Sequence, residues 1–465
     1  MTDETPSRFD RAFGRLRRVW QGVAGKPAAE DGAPFRFDAR RVAAKIDECL
    51  AVRGGEVSAR TQAAELGETY LAWNERDRSE FLRLLATHYG IDRERLRASA
   101  SALASASEAD FADAEGAVRR ALIAPRVRLL TQFNVLPQGV KFLVDMRAEV
   151  QRSIKREPAL APLERDLKDL LASWFDVGFL ELRRITWASP AHLLEKLIAY
   201  EAVHAIGSWT DLKNRLDSDR RCYAFFHPRM PDEPIIFIEV ALVQGLAGSI
   251  HALLDENAPA GDAARADSAI FYSISNAQKG LVGLDFGGFL IKRVVEQLSH
   301  DLPRLKTFAT LSPIPGFRAW LDETMGAGKP VLTAAEAQAI AAAAGQGDGA
   351  AAFAALIADE LWAGQPTQAE ALRAPLLRLG ATYLTEAKSS RRARDRVANF
   401  HLSNGARVER LNWMANRSPE NLKRAFGLMV NYGYDLGELE GNHESYRGEG
   451  RVAMSAAVKT LLKVR

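Results

Sequence analysis

Apolar residues recur every three or four positions through most of the first third of the chain. This spacing places apolar side chains on one face of an α-helix, and strand-like alternation is nearly absent there. The segments that show it are 42–52, 58–74, 76–88, 93–103, 108–122, 131–149 and 163–174. The pattern predicts a helical bundle over residues 36–174, a kind of module that often serves as an oligomerisation surface. Residues 1–35, which mix charges and end in a Pro/Gly-containing stretch, predict a flexible arm.

From residue 175 onwards, short apolar runs typical of buried strands alternate with helical patterns. The strand-like runs are 179–187, 222–226, 235–243, 269–274 and 307–311. Ser189-Pro190 suits the first positions of a helix, since serine caps the free N–H groups and proline fits the first turn. The alternation predicts an α/β or α+β domain over residues 175–465, so the fold class of the whole chain is α+β with two domains.

Two further segments give sharp local predictions. Asn404-Gly405 lies between apolar runs, which predicts a β-hairpin over residues 397–413 with His401 on its first strand. Ser418-Pro419 predicts the start of a helix that continues to about residue 430. A polar tail follows.

Four glycines interrupt the chain between the predicted strand at 269–274 and the next helix, namely Gly280, Gly283, Gly287 and Gly288. Glycine allows close backbone approach, and the first N–H groups of a helix lack internal partners, so a phosphate or pyrophosphate fits such a loop. An ordinary strand–helix connection is the alternative. The spacing matches neither a P-loop nor a G-x-G-x-x-G motif, and Asp285 argues against a nucleoside triphosphate.

Composition narrows the function classes. The chain has 465 residues, a net charge of +3 and two cysteines. So small a charge gives no support for nucleic-acid binding, and two cysteines without ligand spacing favour a reducing compartment. The eight histidines are scattered and form no spaced metal set. With no membrane-length apolar run and no secretory signal pattern, the predicted location is the cytoplasm.

Several longer segments of the sequence together resemble the malonyl-CoA decarboxylase family. They are Ile185-Thr-Trp-Ala-Ser-Pro190, Tyr200-Glu-Ala-Val-His204, Ala269-Ile-Phe-Tyr-Ser-Ile-Ser275, Phe289-Leu-Ile-Lys-Arg293, Leu311-Ser-Pro-Ile-Pro-Gly-Phe317, Asn399-Phe-His401 and Asn412-Trp-Met-Ala415. The resemblance covers residues 170–435. Some animal members carry a cysteine after the Ser-Pro that bridges subunits, and here Ala191 stands there, so that bridge is not expected.

The resemblance implies a catalytic domain similar to the acyl-CoA N-acyltransferase (GNAT) superfamily. In that superfamily the loop after a central strand holds the pyrophosphate of coenzyme A through backbone amides, and the next strand splays away to admit pantetheine. The corresponding loop here consists of Val282, Gly283, Leu284, Asp285, Phe286, Gly287 and Gly288. The catalytic positions of the family fall on Ser312 and His401. Lys196 is implicated more weakly, with an exposed helical lysine as the alternative.

The implied reaction converts malonyl-CoA to acetyl-CoA and CO2. The thioester carbonyl accepts the electrons of the breaking C–C bond as an enolate, so neither a metal nor an organic cofactor is expected. His401 is the expected proton donor because imidazole titrates near neutral pH. Ser312 would orient the carboxylate or relay the proton. Tyr432, Tyr434 and Asn412 are candidates for a supporting role, with simple packing as the alternative.

Two other functions stay open on the sequence alone. A GNAT-like domain transfers acyl groups from acyl-CoA to amines, and a protein that binds acyl-CoA without turnover would act as a sensor. The expected partners are malonyl-CoA and acetyl-CoA, with no nucleic acid and no membrane. The family further implies a homodimer or homotetramer. The decarboxylase hypothesis requires Ser312 and His401, which are far apart in sequence, to meet in space.

Overall fold

The computed structural model describes residues 36–51, 55–284, 289–358 and 360–463. These residues divide into two compact units. The first contains residues up to 180 together with the segments 227–232 and 278–284, and the second contains the rest. The division along the chain falls close to the sequence-based boundary at 174/175. The segment 278–284, expected in the catalytic domain, instead packs within the first unit.

The first unit is helical, as its apolar spacing predicts. Its helices are α1 (Ala39–Ala51), α2 (Gly55–Ala72), α3 (Glu75–His88), α4 (Arg93–Ala104), α5 (Phe111–Ala121), α6 (Pro125–Asn134), α7 (Gly139–Ser153) and α8 (Ala161–Trp174). Short 3-10 turns lie at Pro158–Leu160, Val177–Phe179 and Lys279–Leu281. The pattern at 131–149 proves to belong to two helices, α6 and α7. A Cβ at Gly139 would lie 1.7 Å from the carbonyl oxygen of Phe133, so glycine permits the tight turn between them.

The core of this unit is formed by the apolar faces that the helices turn towards one another. Fully buried members include Tyr70, Phe81, Leu129, Phe133, Phe142, Leu143, Leu163, Leu167 and Leu171. Helices α4 and α5 differ from the others. Helix α4 has no buried residue and α5 has only Ala121.

The second unit contains a mixed sheet with helices around it. Its strands are β1 (Glu181–Ile185), β2 (Arg220–Phe226), β3 (Ile236–Val243), β4 (Ser268–Asn276), β5 (Thr307–Thr310), β6 (Ser312–Pro313), β7 (Lys388–Ser389), β8 (Arg392–Ala393), β9 (Arg407–Asn412) and β10 (Met429–Gly433). Its helices are α9 (Ala191–Tyr200), α10 (Trp209–Arg215), α11 (Ile250–Leu253), α12 (Phe289–Asp301), α13 (Phe317–Gly326), α14 (Ala334–Ala344), α15 (Gly349–Leu356), α16 (Pro366–Thr385), α17 (Arg396–Ser403), α18 (Pro419–Ala425), α19 (Leu439–Glu449) and α20 (Ala456–Lys463). The α+β prediction is confirmed.

Strand order in the large sheet is β1-β2-β3-β4-β5-β10-β6, and β9 pairs with the opposite edge of β10 along its whole length. Strands β4 and β5 are parallel, whereas the other pairs of this sheet are antiparallel. The register of β4 and β5 runs from Ser268 opposite Thr307 to Phe271 opposite Thr310. Beyond that point β4 continues to Asn276 on β3, while β5 ends. The two central strands therefore part after Phe271 and Thr310.

The hairpin predicted over residues 397–413 is wrong in its first half. Residues 396–403 form helix α17, which carries His401, and only the second half is a strand, β9. Asn404 ends the helix and Gly405 follows with φ +78. The Asn-Gly pair thus terminates a helix, another setting in which glycine in the left-handed region is favoured.

The helix predicted from Ser418 to about residue 430 is too long. Helix α18 ends at Ala425, where Phe426 and Gly427 both adopt positive φ, and residues 429–433 become strand β10. The burial of Met429, Val430 and Tyr432 explains the difference, since each is at most 1% exposed within the sheet. The segment predicted as a polar tail contains helices α19 and α20.

Candidate active site

Ser312 lies on β6, the two-residue strand directly after the end of β5. It pairs with Val430 of β10, and only 6% of its surface is exposed. The following residues, Pro313-Ile314-Pro315-Gly316, include two prolines with fixed φ and no N–H donor. The serine therefore stands at a rigid end of the sheet, beside the place where β4 and β5 separate.

His401 reaches the same place from helix α17. The helix begins at Asp395, whose side chain accepts hydrogen bonds from the N–H groups of Val397 and Ala398. The imidazole is 3% exposed. The ring of Tyr432 stacks on it at 4.5 Å between centroids with an interplanar angle of 24°. Phe400 meets it edge-on at 5.1 Å. These contacts hold the ring plane.

Four side chains form a continuous hydrogen-bonded row in this site. His401 Nδ1 lies 2.7 Å from Tyr434 Oη, and His401 Nε2 lies 3.1 Å from Ser312 Oγ. The Ser312 hydroxyl donates to Thr310 Oγ1 over 2.9 Å. Thr310 Oγ1 also accepts from the backbone N–H of Tyr432 at 3.1 Å. The meeting of Ser312 and His401, required by the sequence-based hypothesis, is present.

Burial sets the protonation of this row. It lowers the pKa of His401 to about 3, so the imidazole is neutral at physiological pH. It also raises the pKa of Tyr434, so that hydroxyl keeps its proton. The phenol then donates to Nδ1, and we assign the imidazole proton to Nε2, from where it is directed to Ser312 Oγ. The near-neutral titration assumed from sequence does not hold for this buried ring.

The backbone of Thr310 is held in place by the buried side chain of Asn431. The Asn431 side chain donates to the carbonyl oxygens of Thr310 at 2.6 Å and of Ala247 at 3.0 Å. Its own oxygen accepts from Asn412 at 2.8 Å. Asn412 therefore reaches Thr310 only through Asn431, and these hydrogen bonds do not connect it to Ser312 or His401. Because Asn431 is fully buried and its amide is saturated, it fixes the end of β5 firmly.

Lys196 has a different environment. Its ammonium group binds Glu233 at 2.7 Å, and both side chains are about one-fifth exposed. The lysine lies on helix α9, one turn before Tyr200, whose hydroxyl also reaches Glu233 at 3.4 Å. The lysine is thus a half-buried ion-pair member, and its predicted supporting role stays a prediction.

The predicted pyrophosphate loop is described only in part. Asp285, Phe286, Gly287 and Gly288 lie outside the described residues. Val282 is 56% exposed, and Gly283 has φ +79 with open space at its Cβ position. Gly280 permits close packing against α7, because a Cβ there would lie 1.8 Å from the carbonyl oxygen of Val144. Arg147 of the same helix donates to the Gly280 carbonyl at 2.6 Å.

Sequence reasoning missed Thr310 and Asp395, and it left Tyr434 as a packing residue or supporting group. A signal existed for two of them. Thr310 precedes Ser312 by two positions in an extended segment, which places both hydroxyls on one side. Asp395 stands just before an apolar helical pattern, as an N-cap does. The position of Tyr434 against His401 depends on strand β10, which the sequence did not indicate.

Within the described residues, no group of three or more histidine, cysteine or carboxylate side chains is arranged to hold a metal ion. None of the helices in the described part of the chain has the length and apolar character to cross a bilayer. Both cysteines, Cys49 and Cys222, are buried and unbonded to each other.

Comparison with solved structures places this fold among known enzymes. The crystal structure of malonyl-CoA decarboxylase from Rhodopseudomonas palustris is 41% identical, with a TM-score of 0.81 over 91% of this chain and all of that one. That from Agrobacterium vitis is 40% identical, with a TM-score of 0.82 over 91% of this chain and 99% of that one.

Sequence comparisons agree. The enzyme named malonyl-CoA decarboxylase, mitochondrial, from Anser anser anser is 38% identical over 82% of this chain and 79% of its own length. Its namesake from Rattus norvegicus is 38% identical over 83% of this chain and 82% of its own. The family description "Malonyl-CoA decarboxylase C-terminal domain" matches residues 178–465, and the corresponding N-terminal domain matches residues 89–175. With both halves matched in order, the chain belongs to the malonyl-CoA decarboxylase family of enzymes.

Proposed function

We propose that this enzyme converts malonyl-CoA to acetyl-CoA and CO2 with Ser312, His401 and Tyr434 as its reacting row. The bond between the α-carbon and the carboxylate breaks, CO2 leaves, and the electron pair enters the thioester carbonyl as an enolate. One proton then adds to the α-carbon. The thioester itself accepts the electrons, so the chemistry calls for no metal or organic cofactor. The observation that carries the proposal is the 3.1 Å contact between Ser312 Oγ and His401 Nε2.

The separation of β4 and β5 supports a thioester substrate here. Past Phe271, the edge of β4 that faces β5 is no longer paired with it, and Ser312 lies just beyond the end of β5. An extended pantetheine chain pairs with such an open strand edge through its amides. A thioester held this way would reach Ser312 with its C–COO⁻ bond in a fixed direction, which is the positioning that decarboxylation needs.

Proton delivery in this proposal uses a neutral row of donors. A thioester enolate is a stronger base than an alkoxide, an imidazolate or a phenolate, so a neutral hydroxyl or imidazole N–H is acidic enough to protonate it. The proton leaves from His401 Nε2 directly or through Ser312, while Tyr434 passes one to Nδ1 and becomes a phenolate. After the product leaves, a solvent proton enters at Nε2 and the Nδ1 proton returns to Tyr434, which restores both the phenol and the Nε2–H tautomer. His401 is thus the proton donor without ever becoming an imidazolium.

Two alternative roles for Ser312 fit this scheme, namely relaying the proton and orienting the malonyl carboxylate. In Tyr434→Phe, which has no phenol proton to move, a relay still moves two protons in one step, and the proton inventory in mixed H2O and D2O would be curved. If Ser312 only orients the carboxylate, the inventory of that variant is linear, and Ser312→Ala mainly weakens substrate alignment. Both roles predict a large loss of kcat in Ser312→Ala.

The test of the proposed function is incubation with malonyl-CoA in the absence of any acyl acceptor. We expect stoichiometric acetyl-CoA and CO2. His401→Asn should lower kcat by ~10²-fold or more, the usual contribution of a positioned general acid, which is a loss of at least ~2 kcal/mol of transition-state stabilisation. Product formation only with an amine present would indicate an acyltransferase, and tight binding without turnover a sensor. Near-native turnover of His401→Asn would refute the assignment of the proton donor.

We also retain the pyrophosphate role of the loop Val282–Gly288. Open space around Gly283 and its positive φ suit backbone amides that contact an anion. The variant Gly283→Asp adds a negative charge to the loop. It should raise KM for malonyl-CoA while leaving malonyl-pantetheine, which has no pyrophosphate, unaffected. An equal change with both substrates would contradict the role.

For Lys196 we propose support of activity through its ion pair with Glu233. Lys196→Met should then lower activity, and Glu233→Gln should lower it to a similar extent because the pair is broken in both. Full activity of both variants would assign the pair to helix stability. A cytoplasmic location stays a sequence-based prediction.

We further propose self-association of the first unit through helices α4 and α5. These helices bury almost nothing within the unit, and Phe111, Leu122 and Ile123 are each more than half exposed. Large exposed apolar side chains grouped on one short helix and its C-terminal end suit an interaction surface. Light scattering after size exclusion should give a dimer or tetramer, and Phe111→Ser with Leu122→Ser should reduce its mass. A monomeric native enzyme would exclude this proposal.

A further inference from the structure

Four hydrogen bonds converge on one buried carboxylate, that of Asp395, which is 1% exposed. Two of them reach Oδ1, from the N–H groups of Val397 at 2.9 Å and Ala398 at 3.0 Å. They cap the first turn of helix α17. Because this helix has only eight residues, its first turn largely decides the position of His401 near its other end.

The other carboxylate oxygen reaches a different segment. Asp395 Oδ2 accepts from the N–H of Gly316 at 3.2 Å and from Tyr383 Oη at 3.3 Å. Gly316 is the last residue of the turn that begins at Ser312. Pro315 has no N–H, so the amide of Gly316 is the donor that this end of the turn presents. One side chain thus holds both the helix of His401 and the turn of Ser312.

The packing around this carboxylate is too close for any residue but glycine at position 316. A Cβ there would lie 2.1 Å from Tyr383 Oη and 3.4 Å from Asp395 Oδ2. Tyr383 itself is anchored on helix α16 and is 2% exposed. The turn is therefore pressed against Asp395 and Tyr383, and a small displacement of any of them would alter the Ser312–His401 distance.

We infer that Asp395 is a positioning residue for the reaction, which sets the distance between Ser312 and His401 by binding the helix of one and the turn of the other. The inference rests on the proposed function of that pair. A carboxylate suits the task because both oxygens accept, and its bonds to N–H groups are stronger than those of a neutral acceptor. Asp395 makes no contact with the reacting atoms.

Asp395→Asn separates this role from simple helix capping. Asparagine caps helices as well as aspartate does, so its oxygen can serve Val397 and Ala398. Its NH2 group then faces the N–H of Gly316 and cannot accept from it. If the amide turns round, the link to Gly316 is kept and the cap is lost, so one link breaks either way. Asp395→Ser is the second variant, because serine retains a cap but is too short to reach Gly316.

A matched control exists at the surface. Glu323 on α13 forms an ion pair with Arg394, the residue directly before Asp395. This pair therefore also joins the segment that follows the Ser312 turn to the segment that precedes helix α17. Its side chain is 63% exposed, and exposed ion pairs contribute little to stability. Glu323→Gln should leave kcat and KM unchanged.

For Asp395→Asn and Asp395→Ser we expect kcat to fall about tenfold or more with KM changed less than about twofold, since misalignment affects chemistry before binding. In protein labelled with ¹⁵N-histidine, the imidazole signals of His401 should shift in both variants and stay in place in Glu323→Gln. Wild-type kcat in the two Asp395 variants would overturn the inference. A loss that merely follows the fraction of unfolded enzyme would also overturn it.

These outcomes are distinct from failure of the proposed function. If Ser312→Ala and His401→Asn retained full activity, the catalytic assignment itself would fall, whatever the Asp395 variants do. If those two variants are inactive and the Asp395 variants are fully active, only the positioning inference fails.

Discussion

Tyr434 Oη lies 2.7 Å from Nδ1 of His401, on the opposite side of the ring from Ser312. The imidazole therefore stands between two hydroxyls, and its first partners are neutral. This differs from the familiar arrangement in which a carboxylate orients a catalytic histidine and stabilises its charged form. A ring with a depressed pKa and a phenol at Nδ1 is suited to passing a proton along while remaining neutral.

The first prediction concerns that phenol. Tyr434→Phe removes the donor to Nδ1 while keeping the ring, so the tautomer of His401 is no longer fixed and proton return is lost. We expect kcat to fall by ~10-fold to ~10²-fold, within the range for removal of one proton-transfer partner, with little change in KM. Steady-state kinetics on malonyl-CoA would measure it.

Tyr223→Phe is the control for that experiment. Its hydroxyl is also buried, and no partner for it is present among the described residues. The variant therefore removes a buried tyrosine hydroxyl that is not part of the hydrogen-bonded row of His401. If both variants lost the same activity, the effect would be one of general packing, and the role of Tyr434 would be refuted.

The second prediction concerns pH. Because burial lowers the pKa of His401 to about 3, the ring is neutral between pH 5.5 and pH 8. The profile of kcat between pH 5.5 and 8 should therefore show no fall centred near 6.5, where an unperturbed imidazolium loses its proton. A tenfold decrease per pH unit above ~6.5 would show that an imidazolium is the donor.

The same shift has a consequence for stability. The folded state keeps His401 neutral, whereas the unfolded chain binds a proton there below ~6.5. The stabilising contribution of the neutral ring is complete above that value and is lost as the pH falls towards 3. Urea unfolding of wild type and His401→Gln at pH 7 and pH 5 should show a smaller loss of stability for the variant.

The third prediction tests the crowded turn. Gly316→Ala places a methyl group where Tyr383 Oη now lies, and overpacking of this kind costs ~1–3 kcal/mol. Removing that oxygen in Tyr383→Phe leaves the nearest ring carbon, Cζ, 3.3 Å from the new Cβ. The double variant should therefore recover at least half of the stability and kcat lost in Gly316→Ala. Additive losses would show that the clash with Tyr383 is not the cause.

The fourth prediction concerns a buried acid in the sheet. Burial, reinforced by the charge of Glu201, raises the pKa of Glu239 to about 8 despite its 3.0 Å contact with Arg215. The folded state therefore holds a proton that the unfolded state releases near ~4.5, so stability falls as the pH rises between these values. From pH 6 to pH 8 the free energy of unfolding of the wild type should therefore decrease.

Glu239→Gln should remove this slope, because the amide does not titrate. Denaturant unfolding at pH 6 and pH 8 measures the difference, with Glu323→Gln as a surface control that keeps the slope. An identical pH dependence in wild type and Glu239→Gln would show that another group is responsible.

Much of the architecture was predictable because it depends on local periodicity. Amphipathic spacing identified the helices of the first unit, and apolar runs identified β2, β3 and β4 close to their true limits. The prediction failed at 397–403 and at 429–433. Asn404-Gly405 suits both a hairpin turn and a helix end, and the N-cap residue Asp395 is the local signal that favours the helix.

The sequence by itself determined the fold class, the family and the two residue types at the centre of the site, through the Ser-Pro-Ile-Pro-Gly-Phe and Asn-Phe-His words. The tertiary structure decided that Ser312 and His401 lie 3.1 Å apart, that Tyr434 occupies the other ring nitrogen and that Asp395 joins the two segments. It also decided the protonation of the imidazole. Contacts between distant segments and the loss of water around a buried ring depend on how the elements pack, which no spacing within the chain can express.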